Sequence, residues 1–307
     1  MNDTEPIAVL LMAYGSPDTL ADVEPYYTHI RGGRTPAPEL VEELRERYRL
    51  VGGTTPLLEI SRVTRQGLED RLNAGGSDTY SVVLGMKHWH PYIEEAVSQI
   101  AAGGMHRVVG LVLAPHFSRM SVATYFDYVR AAQQKLGSEI EVLPIESWHL
   151  HEPYLASVAR RIRQRLAEFP DGEEVIVVFT AHSLPQRILE DGDPYPAQLR
   201  ETSEALAARL GLARWTFSYQ SAGRTPEPWL GPDLVDTVNS LADRGEKNVL
   251  IASVGFVSDH LEILYDIDYE ARQVARERGI TLRRTEMLNA APDFLDGLAE
   301  LVRARLE

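Results

Sequence analysis

Short apolar runs rich in β-branched residues alternate along the chain with stretches whose apolar positions recur every three to four residues. Residues 7–14, 80–88, 107–116, 139–148, 174–182, 215–220, 248–257 and 280–286 read as strands. Residues 108–113 and 175–179 are apolar with almost no alternation, the pattern of strands covered on both faces by helices in a parallel sheet. Proline followed by acids marks helix starts between them, as in Pro91-Tyr92-Ile93-Glu94-Glu95 and Pro292-Asp293. The pattern predicts an α/β fold.

The order of elements repeats. Residues 93–103 followed by 108–113 echo residues 234–244 followed by 249–254. The repeat predicts two similar doubly wound domains with parallel sheets and a ligand cleft between them, 1–150 and 151–307, joined near 149–172. The first carries an insertion over 18–75, rich in Pro, Gly, Arg and Tyr, that suits a lid.

Composition narrows the chemistry. A chain of 307 residues accommodates two medium domains, and its net charge of −14 offers no basic field to a nucleic acid or an anionic membrane. There is no cysteine, which excludes disulfides, thiolate metal sites, iron–sulfur clusters and a cysteine nucleophile. Any metal must be held by His, Asp, Glu or Tyr. The stretch Met1 to Pro6 is polar and acidic, and the apolar run Ile7 to Ala13 is far short of the ~20 residues of a membrane helix. A soluble cytoplasmic protein without membrane insertion is expected. The phosphate-binding glycine motifs, the nucleophile elbow and H-E-x-x-H are missing, which weakens nucleotide, serine-hydrolase and zincin readings.

The candidate chemistry gathers where strands end. Gly255-Phe256-Val257-Ser258-Asp259-His260-Leu261-Glu262 runs from an apolar strand end into acids at four-residue spacing. If the chain is helical from about residue 261, Glu262, Asp266 and Glu270 stack on one face. Such a row is either a solvated acidic face or a path for a divalent cation. Its start at the C-terminal end of a buried-type strand, where open α/β sheets bind ligands, favours the cation.

Tyr14 ends the first strand and His182 its counterpart, so the repeat brings these side chains together from opposite domains. An imidazole there can take a proton or ligate a metal while Glu262 supplies charge. Lys87 and His88 end the second strand as cleft-lining groups, while Pro91 makes His90 structural. His116 suits packing or hydrogen bonding, and His149 and His151 the surface. Arg45 and Arg49 fall at ion-pair spacing from Glu42, Glu43 and Glu46. Arg31 and Arg34 instead lie in a glycine-rich loop, free to fork onto the carboxylates of a polyacid with a large apolar body.

Residues 255–270, Ala181-His182-Ser183-Leu184-Pro185, Ala114 to Ser118, Asp193-Pro194-Tyr195-Pro196, Trp229-Leu230-Gly231-Pro232 and Tyr27-Thr28-His29-Ile30-Arg31 together resemble ferrochelatases. The likeness spans nearly the whole chain and is closest to the soluble coproporphyrin ferrochelatases of Gram-positive bacteria. It implies Rossmann-like domains and Fe(II) insertion into coproporphyrin III in haem biosynthesis. The expected partners are a porphyrin and ferrous iron, and a monomer with no resident cofactor and no iron–sulfur cluster is expected. The metal-handling pair falls on His182 and Glu262, with Asp266 and Glu270 as outer metal ligands and Tyr14 as the axial tyrosine. Arg31, Arg47, Tyr48, Thr55 and Tyr125 fall at porphyrin-contacting positions, with Thr55 where relatives often have Ser. The alternatives are a protoporphyrin IX ferrochelatase, a related cobalt chelatase, or a non-catalytic tetrapyrrole carrier.

Overall fold

Each predicted strand forms, and most are shorter than expected. The computed structural model describes residues 6–75, 79–223 and 225–307, so residues 1–5 of the polar N-terminal stretch lie outside the described residues. The strands are β1 (Ile7–Ala13), β2 (Tyr80–Met86), β3 (Arg107–Val112), β4 (Glu141–Ile145), β5 (Ile176–His182), β6 (Trp215–Gln220), β7 (Asn248–Ser253) and β8 (Thr281–Arg284). Tyr14, Lys87-His88 and Pro115-His116 lie beyond the strand ends, and Lys87 and His88 still donate their backbone N–H groups to the carbonyls of Ala13 and Tyr14 at 2.9 Å.

Two four-stranded sheets result, ordered β2-β1-β3-β4 and β6-β5-β7-β8, with parallel pairing throughout. The repeated order bears out the internal repeat. Leu10 sits opposite Val83 and Gly110 in the first sheet, and Phe179 opposite Phe217 and Ala252 in the second.

Helices cover the sheets: α1 (Val23–Ile30), α2 (Pro38–Leu50), α3 (Leu57–Leu72), α4 (Ile93–Ala102), α5 (Val122–Leu136), α6 (Glu152–Leu166), α7 (Tyr195–Leu210), α8 (Leu234–Asp243), α9 (Arg272–Glu277) and α10 (Pro292–Leu306). One core joins Leu10, Met12 and Val108 to Ile93, Val97 and Phe126; another joins Val178, Val249 and Ile251 to Val238, Ile263 and Ile267. Pro292 opens α10 as expected, but α4 starts only at Ile93, with Tyr92 as its N-cap and Pro91 outside it. Among the described residues no helix is long and apolar enough to cross a membrane.

The chain divides into two compact units. Unit 1 ends its main stretch at Trp148 and takes up Asn289–Glu307; unit 2 is His149–Leu288. The expected second domain, 151–307, is therefore corrected at its end. α10 buries Phe294, Leu295, Leu298 and Val302 in unit 1, and Arg71 Nε on α3 donates to Asp296 at 2.6 Å. The expected join over 149–172 instead holds α6, whose Tyr154 and Ile162 are buried in unit 2. Insertion 18–75 folds as α1 to α3. α3 buries Leu68 and Leu72 and packs on β2 and α10, so residues 57–72 belong to the body of unit 1 and not to the expected lid.

Candidate active site

In each sheet the strand order reverses beside the central strand, between β1 and β3 and between β5 and β7. Ligands of open α/β sheets bind outside the carboxyl ends of strands at such a reversal. The candidate residues follow these ends.

In unit 2, His182 is the last residue of β5, and its Nδ1 donates to Glu262 Oε2 at 2.9 Å. The approach depends on Gly255, where a Cβ would stand 2.4 Å from the Cβ of Ala181. Tyr195 donates its hydroxyl to the His182 carbonyl at 3.0 Å, and Trp229 and Phe256 stand edge-on to the imidazole. His260 donates from Nδ1 to the Ser258 carbonyl at 2.9 Å, which leaves its Nε2 3.7 Å from Glu262 Oε2.

Burial alone would lower the pKa of His182, but the charges of Glu262 and Asp266 and the Glu262 hydrogen bond raise it above its ordinary value. Burial alone would likewise raise Glu262, yet His182 and His260 hold its carboxyl well below the usual carboxylate range. Each charge favours the other: the carboxylate of Glu262 favours the protonated imidazole, and the protonated imidazole favours the ionised carboxylate.

The acid row is helical, as expected, but its winding differs. Residues Ile263–Ala271 form a π-helix that leads into α9. Hydrogen bonds from i to i+5 put more than four residues in each turn, so positions four apart still share a face. Glu262 is half-buried, Asp266 is buried and Glu270 is exposed. Asp266, expected as an outer ligand, is thus the most covered of the three, and its carboxylate accepts a hydrogen bond from Ser221 Oγ. Gln220 Nε2 donates to the Glu262 carbonyl at 3.1 Å, so the end of β6 holds the row from below. Among the described residues no three His, Cys, Asp or Glu side chains are gathered to hold a metal ion, so the four expected ligands do not close into one chelating group.

In unit 1, Tyr14 projects from the end of β1 and is 41% exposed. The turn after it needs Gly15, which has φ +98° and lies where a Cβ would meet the Trp89 backbone nitrogen at 2.9 Å. Ser16 Oγ lies 2.8 Å from Thr55 Oγ1 and 3.4 Å from the Tyr48 hydroxyl, so these two expected site residues support the Tyr14 turn. Tyr48 and Tyr125 are buried. Lys87 Nζ donates to Thr124 Oγ1 at 2.7 Å and lies over the rings of Tyr125 and Tyr14 at 5.1 and 6.0 Å. His88 stands edge-on to Tyr14 at 4.7 Å and shares an Nδ1–Nδ1 hydrogen bond of 3.1 Å with His29. Burial, then Lys87 and His29, pull the pKa of His88 down to about 3, so its imidazole is neutral.

Arg31 caps α1 in a turn, as expected, with its guanidinium 5.8 Å from the Tyr27 ring and no carboxylate partner among the described residues. Arg34 Nε donates to the Arg31 carbonyl. Arg45 and Arg49 pair with Glu42 and Glu46 as expected, and Arg47 pairs with Glu43 at 3.3 Å. His116 is buried and His90 is exposed beside Glu95. His149, expected at the surface, is largely covered and lies 2.7 Å from Glu201. Sequence reasoning did not single out Gln220, Ser221 or His29. For Gln220 and Ser221 the only signal was their place at the end of a predicted strand.

The ferrochelatase family model matches residues 6–306. A ferrochelatase of Herpetosiphon aurantiacus is 48% identical over 297 residues, 96% of this chain and 97% of that one. The coproporphyrin III ferrochelatases of Halalkalibacterium halodurans and Bacillus subtilis are 42% and 40% identical, the alignments covering 98% of this chain in both cases and 97% and 98% of theirs. Among solved structures, SirB of Bacillus subtilis with Fe3+ shares the fold at a TM-score of 0.58 and 10% identity, covering 98% of this chain and 95% of that one. From this whole-length match, the chain belongs to the ferrochelatase family, whose substrates are a porphyrin and iron.

Proposed function

We propose that the chain inserts Fe(II) into coproporphyrin III, with His182 and Glu262 as the metal-handling pair. The observation that carries this reading is the 2.9 Å contact of these side chains at the end of β5, continuous with the carboxylates of the π-helix. Insertion exchanges two pyrrole N–H protons for one Fe(II), so the site must take protons as well as deliver metal. The unprotonated imidazole of His182 can do either, and Glu262 and Asp266 supply negative charge that balances an arriving cation or proton. Asp266 and Glu270 supply oxygen donors suited to a hydrated divalent cation. Arg31, Arg47, Thr55, Lys87 and His88 hold the porphyrin and its carboxylates; Tyr14 packs against the macrocycle, and Tyr48 and Tyr125 support it. The protein acts in the cytoplasm as a monomer, with iron as substrate and no resident cofactor.

Coproporphyrin III carries four propionates where protoporphyrin IX carries two. Arg31, unpaired with any carboxylate among the described residues, and Lys87 offer charged donors in an otherwise acidic chain. Each charged hydrogen bond contributes roughly 1.5–3 kcal/mol. Two lost contacts therefore reduce efficiency by about a hundredfold or more when desolvated, and by less where water competes. The test is anaerobic Fe(II) insertion into each porphyrin, followed by absorption. A coproporphyrin preference above about tenfold, reduced in Arg31→Ala, is expected. Equal or protoporphyrin-favouring efficiencies overturn the substrate assignment.

A further inference from the structure

Two carboxylates of the acid-rich segment are tied elsewhere. Arg284, the last residue of β8, donates from Nε to both oxygens of Asp268 at 3.0 Å. Its Nη2 donates to Asp268 Oδ2 at 2.8 Å and to Asp259 Oδ1 at 3.0 Å, and its Nη1 to the Thr285 carbonyl at 3.1 Å. Arg272, at the start of α9, adds a further bond to Asp268 at 2.8 Å. All three clamped side chains are largely covered: 16% exposed for Arg284, 19% for Asp259 and 21% for Asp268.

The placement gives the clamp its meaning. Asp259 precedes the π-helix and Asp268 lies inside it, so one guanidinium spans the stretch that contains Glu262 and Asp266. A nine-residue π-helix is a rare winding, and the Arg284 contacts grip the chain four residues before it starts and again at its sixth residue. β8 pairs in parallel with β7, with Arg284 opposite Ile251, so the guanidinium projects from the sheet.

We propose that Arg284 is the positioning residue of the acid row: by clamping Asp259 and Asp268 it sets the π-helical winding on which Glu262, Asp266 and Glu270 ride. The inference rests on the reading that this row handles the metal. It also keeps Asp259 and Asp268 out of the metal's path, because both carboxylates are already bonded.

Charge and geometry predict opposite signs. If Arg284 acted only as a nearby cation, removing it would strengthen the attraction of the row for Fe(II) and lower the metal KM. If it positions the row, removing it misplaces the acids, so the metal KM rises and kcat falls. Arg284→Lys separates the two, because lysine keeps the charge but cannot fork across two carboxylates.

The experiment is steady-state Fe(II) insertion into coproporphyrin III with the metal varied, alongside porphyrin binding by fluorescence and thermal melting of each variant. Arg284→Lys and Arg284→Gln are both expected to lose about tenfold or more in kcat/KM for metal, with porphyrin affinity within about twofold of wild type. Adding Asp259→Asn to Arg284→Gln should cost less than about twofold more, since the pair acts as one unit. Wild-type metal kinetics in Arg284→Lys, or a lowered metal KM with intact kcat in Arg284→Gln, overturns the proposal. If neither Arg284 variant folds, Asp259→Asn alone decides: the same metal-specific loss supports the clamp and wild-type kinetics reject it. Glu262→Gln in the same assay tests the underlying reading. If Glu262→Gln inserts iron normally, the row does not handle metal; if it is inactive while the Arg284 variants are normal, the clamp alone is wrong.

Discussion

Lys87, which we propose holds the porphyrin, is largely buried at the expense of stability. Burial draws its ammonium pKa down to about 8, against a smaller opposing pull from Asp127, while Thr124 and the rings of Tyr14 and Tyr125 give it partial company. The folded chain therefore binds fewer protons than the unfolded chain between about pH 8 and the ordinary lysine value of 10.5. Stability contributed by this group rises with pH across that window, and its full cost is present below it. A depression of this size corresponds to about 3 kcal/mol. Lys87→Met removes that cost but also the Thr124 bond and the ring contacts, so a net gain of about 1 kcal/mol is expected at pH 7. Denaturant titrations at pH 7, 8, 9 and 10 check this: the variant should be more stable at pH 7 and lose the wild-type rise between pH 8 and 10. Porphyrin affinity at pH 7 should fall in the same variant. Lys87 and His88 were legible in the sequence because a polar pair ends an apolar run. His29 was not, because a hydrogen bond across 59 residues leaves no local trace.

At the scale of elements, the strands were legible and the winding of the acid helix was not. Strands such as β3, β5 and β7 are apolar almost without interruption because helices cover both of their faces. In the acid helix the buried positions Ile263, Ile267, Ala271 and Ala275 recur every four residues, with Glu262, Asp266 and Glu270 one position ahead of them. Four lies between the α period of 3.6 and the wider π winding, so the pattern fits either helix. The turn that sets Asp266 apart comes instead from Ser221, held at φ 61° beyond the end of β6. This geometry separates two acids that look equivalent in sequence. Asp266 is buried and its charge helps to raise the pKa of His182, whereas Glu270 is exposed. Asp266→Asn weakens a charge-assisted contact worth roughly 1.5–3 kcal/mol, which corresponds to about a tenfold to hundredfold loss of kcat. Glu270→Gln should leave kcat within about twofold and raise only the metal KM. Insertion rates at saturating and limiting Fe(II) distinguish these outcomes, and equal mild defects would reduce the row to a solvated acidic face.

For the whole molecule, the repeat of strand order was visible because both halves spell the same alternation of elements. The assignment of the last helix was not. α10 follows β8 directly in sequence, yet its partners in unit 1 include Arg71, 225 residues earlier than Asp296. No local pattern records such a return. Its apolar face would serve either unit, and the choice is made by contact: Leu295 fits against α3 at Gly67, where a Cβ would come within 2.5 Å of Leu295 Cδ1, and Phe294 lies 6.0 Å from Trp148. Phe294, Leu295, Leu298 and Val302 are each almost fully buried. At roughly 1.5–3 kcal/mol for each such side chain, the face contributes about 6–12 kcal/mol. That is comparable to the net stability of a whole domain, about 5–15 kcal/mol. Deleting residues 289–307 should therefore unfold unit 1, although the deleted segment follows unit 2 in the chain. Hydrogen exchange resolved by peptide is the direct check. Peptides from β1, β3 and α3 should lose protection in the truncated chain, while those from β5 and β7 keep it. Loss confined to β7 and β8 would instead return α10 to unit 2.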